Sequence, residues 1–112
     1  MDGTIKTNRK YWFMVGEPWD YTHPKYGNNK ILGTVIEVNE EWVIFKCEEP
    51  VESNGISGNI LVLLPRHEGD KADNINSNFG AGLLYVNDKK NRNVETKYAF
   101  IGNLKECWGK NV

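Results

Sequence analysis

Apolar and polar positions along this chain alternate with a period of two, in short runs bounded by turn residues. The first run, KYWFMV (10–15), sets Tyr11, Phe13 and Val15 against Trp12 and Met14. Period two is the repeat of a half-buried strand, so one set enters a core and the other faces away. We expect Tyr11, Phe13 and Val15 inside. Gly16 and Pro18 end the run, and Pro24, Gly27, Asn28 and Asn29 mark an irregular connection after it.

The next two runs, ILGTVIEV (31–38) and WVIFKCEE (42–49), read as a hairpin closed by Asn39, Glu40 and Glu41. Val43, Phe45 and Cys47 alternate with Trp42, Ile44 and Lys46, and Gly33 suits a bend in the facing strand. NILVLLP (59–65) is apolar at every position from Ile60 to Leu64, which predicts a central strand covered on both sides. RHEGDKADNINSNFGAG (66–82) follows, with Ile75 and Phe79 as its only larger apolar residues. GLLYVN (82–87) and VETKYAFIGNL (94–104) give two more strands around the polar turn DKKNRN; in the last, Tyr98 and Phe100 oppose Ala99 and Ile101. At the end, Asn103 with Glu106 matches a helix-capping arrangement and Gly109 a helix stop. Leu104, Cys107 and Trp108 then share the face of a short helical turn.

These elements predict a mainly β protein: a small antiparallel barrel or sandwich of five or six strands, SH3- or OB-like in kind, with a short C-terminal helical turn. Residues 1–8, with Ile5 as the one large apolar residue after the initial Met, read as a mobile arm before a single barrel domain over 9–112. The fourteen asparagines fall almost wholly at the expected turns, where Asn tolerates left-handed backbone and forms Asx turns.

Composition narrows the function classes. Hydrophobic residues at 39% and charged residues at 26% over 112 positions describe one globular unit. No apolar run approaches the roughly 18–20 residues of a membrane span. The opening MDGTIKTNRK has no apolar signal region, so a cytoplasmic location is expected. The two cysteines, Cys47 and Cys107, read as reduced, buried thiols. A net charge of −1 gives no overall field favouring polyanions, but the charge is uneven. Glu37, Glu40, Glu41, Glu48, Glu49 and Glu52 fall within sixteen residues holding one Lys, whereas Lys89, Lys90 and Arg92 cluster later.

Candidate chemistry is sparse. His23 and His67 are the only histidines, and the serines have no nucleophile context. We therefore expect a non-catalytic protein without cofactor or metal; the acids of the 66–73 loop match no metal-site spacing. FGAG (79–82) lacks a phosphate-loop lysine. Arg66 directly follows an apolar strand and is a candidate for bidentate contact with an anion, the alternative being a pairing with Glu68 or another surface acid.

The densest signal lies between Tyr11 and Tyr26, which hold six of the chain's thirteen aromatic residues. A small barrel cannot enclose all of them, so Trp12, Trp19, Tyr21, His23 and Tyr26, with Arg66 and His67, are the candidate binding residues. A loop folded flat as a lid is the competing reading. Three functions follow. The first is an inhibitor-, immunity- or adaptor-type module that binds a protein partner through the aromatic loop and the acidic hairpin. The second is a small-ligand or nucleotide-binding barrel using Arg66 and stacked rings. The third, an OB-type single-strand binder, is disfavoured by the charge balance.

Overall fold

The structure, a computed structural model, describes residues 3–16, 21–23, 25–53, 56–83 and 100–107. Eight strands run in chain order: β1 (Lys10–Val15), β2 (Thr22–His23), β3 (Gly27–Asn28), β4 (Lys30–Val38), β5 (Val43–Ser53), β6 (Ile56–Pro65), β7 (Phe79–Leu83) and β8 (Phe100–Glu106). Six of them close an antiparallel barrel in the order β1-β4-β5-β6-β7-β8, and β2 pairs with β3 in a separate ribbon. Closure through the β1–β8 pairing leaves the barrel no open edge. Among the described residues no helix is long and apolar enough to cross a membrane.

Alternation fills the interior. Tyr11, Phe13 and Val15 point in from β1, as expected, and meet Val35, Val43, Phe45, Cys47, Leu61, Leu63, Phe79, Ala81, Leu83, Phe100 and Leu104. Several rings share one narrow lumen, and two glycines beside β1 make the room. A Cβ on Gly33 would sit 2.6 Å from the Lys46 carbonyl oxygen and 2.7 Å from the Phe45 ring. One on Gly102 would run into the Met14 carbonyl and lie 3.1 Å from Phe13 Cζ. The close approach of a neighbouring strand's carbonyl, with a core ring beside it, therefore requires glycine at both positions. In β4 the register shifts between Val35 and Glu37. Ile36 is the extra residue of this bulge and is turned outward, 46% exposed, which brings Val38 back against the core.

Four expectations need revision. β6 is not covered on both sides: Leu61 and Leu63 are sealed inside, but Leu64 is 36% exposed, because a barrel wall has one dry face. The FGAG segment is itself the first part of β7, with Phe79 and Ala81 inward; the burial of these side chains overrides the weak strand propensity of glycine. Asn103 to Glu106 are extended in β8, not the opening of a helix, since their backbones pair with β1 and bury Leu104. Trp108 and Gly109, and the basic turn with Lys89, Lys90 and Arg92, lie outside the described residues. Finally, residues 3–8 are anchored instead of forming a loose arm. Ile5 is 2% exposed in the core, and its N–H donates to the Asp73 carbonyl at 2.7 Å. Ile75 N–H donates to Gly3, Asn8 N–H to Val35, and Lys6 N–H to the Tyr11 hydroxyl.

The connection from β6 to β7 supplies the other half of this closure. It turns repeatedly on its own bonds, Asp70 N–H to His67, Asn74 N–H to Lys71 and Ser77 N–H to Asn74. Ala72 enters the core fully and Ile75 partly, and Lys71 reaches Glu40 of the β4–β5 hairpin at 3.3 Å. This segment, poor in large apolar residues, is thus a plug over one barrel mouth.

Candidate functional site

A barrel strand presents every second side chain to the outside, and what those residues are decides what the wall can bind. On β1 the outward residues are Lys10, Trp12 and Met14. Register places Trp12 between Leu32 of β4 and Lys105 of β8, and Met14 between Lys30 and Asn103. Trp12 is only half-buried. Tyr26 stands against it edge-on, ring centroids 5.3 Å apart at 82°, and Lys30 Nζ lies 5.2 Å from the Trp12 ring centre. Lys25 Nζ sits 5.4 Å from the Tyr26 ring.

Tyr26 reaches this position because the irregular connection is locally braced. β2 and β3 pair Thr22 with Asn28 and His23 with Gly27, where Gly27 takes φ +89°. Asn29, at φ 60°, receives the Tyr21 N–H on its Oδ1, donates its own N–H to the Tyr21 carbonyl at 2.6 Å, and accepts Val15 N–H. An asparagine in left-handed backbone thus ties the ribbon to the end of β1.

The same wall continues through a chain of amides. Asn103 Nδ2 donates to the Ser77 carbonyl at 2.8 Å, Asn78 Nδ2 to Asn103 Oδ1 at 3.2 Å, and Arg66 Nη1 to Asn78 Oδ1 at 2.9 Å. Arg66 N–H also donates to the Asn78 carbonyl. The guanidinium is exposed yet oriented, and among the described residues its side-chain partner is a neutral amide, not Glu68 or another acid.

Of the residues singled out in the sequence, the structure brings together Trp12 and Tyr26 and connects Arg66 to their wall. Tyr21 belongs elsewhere. It packs on the core, edge-on to Phe100 with centroids 5.3 Å apart, and burial, then the neighbouring Cys47 sulfur, push its hydroxyl above the ordinary value. His67 is exposed in the β6–β7 plug. Trp19 and the side chain of His23 lie outside the described residues. Lys30, Lys105, Asn78 and Asn103 were not singled out. Lys30 is at the right parity opposite Met14, but only knowledge of strand pairing turns that parity into a neighbour.

Other constellations offer less. A cleft of about 270 Å³ between the N-terminal segment and the plug is lined by Gly3, Thr4, Lys71, Asp73, Asn74 and Asn76, with its lysine already held by Glu40. Ser77 Oγ donates to the Lys71 carbonyl at 2.6 Å. Cys47 is free but sealed in the barrel, where burial pushes its thiol up to about 12; a thiol so protonated is a poor nucleophile. Comparison of the chain with protein-family models, with curated proteins and with solved structures finds no match.

Proposed function

We propose that this protein is a non-catalytic binding module that engages a protein partner through the outer wall of β1, β4 and β8 around Trp12 and Tyr26. The observation that carries this reading is the Trp12–Tyr26 pair itself: two rings fixed edge-to-face on a rigid strand and a braced ribbon, half-exposed and beside cations. Trp and Tyr so placed are the residue types that anchor interfaces, because they offer large area with few torsions to freeze. The sealed Cys47 thiol and the engaged Ser77 hydroxyl support a binding role over nucleophilic catalysis.

The test is recovery of the untagged protein from its own host followed by native mass spectrometry. Wild type is expected to carry a second polypeptide, and Trp12→Ala to lose about 2 kcal/mol of that association, roughly thirtyfold, while still melting cooperatively. A partner retained equally by Trp12→Ala and Tyr26→Ala would remove this wall from consideration.

A further inference from the structure

We infer that the occupant of this wall is an acidic segment of a protein, lying with an apolar side chain against Trp12 and Met14 and with carboxylates received by Lys30, Lys105 and Arg66. This rests on the binding reading above and names the chemistry of its partner. Charge sorting is the first support. The outward positions of β1, of β8 and of β4 before its bulge hold Lys10, Lys30 and Lys105 and no carboxylate. Lys10 is already paired with Glu48 at 2.9 Å, at the border with the glutamate-rich β5 side. Among the described residues, Lys30, Lys105 and Arg66 have no carboxylate partner.

An unpaired surface cation by itself means little, since water solvates it well. The arrangement of Arg66 adds the second support. Its Nη1 is bound to an amide chain that ends on a backbone carbonyl, so the side chain is oriented before any ligand arrives. Nε and Nη2 have no partner among the described residues, and that edge of a guanidinium matches the two oxygens of a carboxylate. Geometry is the third. Lys30 beside Met14 and Lys105 beside Trp12 stand on the two strands flanking β1. They lie about 10 Å apart across the sheet at the usual ~4.8 Å strand spacing, a separation that roughly three or four residues of extended peptide bridge.

A nucleic-acid strand has the right charge but not the right contacts. Its bases need an open ring face for stacking, whereas Lys30 lies over the Trp12 ring and Tyr26 meets it edge-on. The acidic peptide needs only the apolar rim these rings leave.

The experiment is selection of a displayed library of random linear peptides on the full chain at low salt, followed by titration of the best binder as a free labelled peptide. Enrichment of Asp and Glu around an aromatic or Leu residue is expected. Affinity should fall about tenfold or more in Arg66→Gln and in Lys105→Gln, and Arg66→Lys should not restore it, because an ammonium lacks the fork. Asn78→Ala, which frees the guanidinium, should weaken binding without altering charge. Thermal melts confirm that each variant is folded. Neutral or basic winners that still depend on Trp12 would overturn the acidic occupant and leave the binding wall standing. Winners indifferent to Trp12→Ala as well, or no winners, would remove both. Tighter binding of oligothymidylate than of the acidic peptide would also overturn the inference.

Discussion

Replacing Ile5 by alanine probes the unexpected closure of the barrel mouth. Ile5 is 2% exposed and sits in the core cluster that also holds Ala72 of the plug, so the substitution deletes three buried carbons. At ~0.8 kcal/mol per methylene the transfer loss alone is about 2.4 kcal/mol. A cavity adds to that where the walls cannot collapse; Ile→Ala changes in cores span about 2–5 kcal/mol. Here the segment is pinned by Ile5 N–H to Asp73, Ile75 N–H to Gly3 and Asn8 N–H to Val35, yet it is the outermost layer of the molecule. Partial relaxation places the expected cost near the lower end, about 2–3 kcal/mol, or a fall in Tm of roughly 8–12 °C for a domain of this size. Urea unfolding followed by tryptophan fluorescence measures it, with unchanged m as the check for two-state behaviour. Thr7→Ala, exposed in the same segment, should stay within about 0.5 kcal/mol. An Ile5→Ala midpoint as close to wild type as that control would show that residues 3–8 contribute nothing to the folded core.

Other substitutions address the interior and the turns. Gly33→Ala should destabilise by about 1–3 kcal/mol, read by the same urea titration, because its Cβ meets the Lys46 carbonyl and the Phe45 ring. Asn39→Ala should cost about 1 kcal/mol, since Asn39 Oδ1 accepts both Glu41 N–H at 2.7 Å and Trp42 N–H at 2.9 Å in the β4–β5 turn. Cys47 should resist a thiol reagent such as DTNB in the native state while half-exposed Cys107 reacts, and both should react in urea. The Cys47 thiol rises from its ordinary 9.0 to about 12 in the folded state, so above pH 9 the unfolded chain releases a proton the folded one keeps. Its stabilising contribution is therefore full below pH 9 and drains away as pH rises toward 12. Across that window Cys47→Ala should lose stability with pH less steeply than wild type.

The wall strands were legible from the chain alone because alternation is local. Tyr11, Phe13 and Val15 inside β1, Val43, Phe45 and Cys47 inside β5, and the Asn39–Glu41 turn all follow from a period of two and from turn chemistry that acts within four residues. That local information implies a mainly β, antiparallel protein of five or six strands, but it leaves barrel and sandwich open; the β1–β8 pairing that closes the barrel joins distant parts of the chain.

Tertiary structure decided what depends on distant partners. Ile5 is one apolar residue in a polar stretch, and its burial exists only because the 66–78 segment folds beneath it. Phe79 and Ala81 form a strand in spite of two glycines because the barrel needs their side chains inside. The wall around Trp12 is the sharpest case. Lys30, Trp12 and Lys105 are scattered through the sequence, as are Arg66, Asn78 and Asn103, and only the β4–β1–β8 register and the amide chain make them neighbours. Alternation states which way a side chain faces; strand pairing, a long-range choice set by how the whole core closes, states what it faces with.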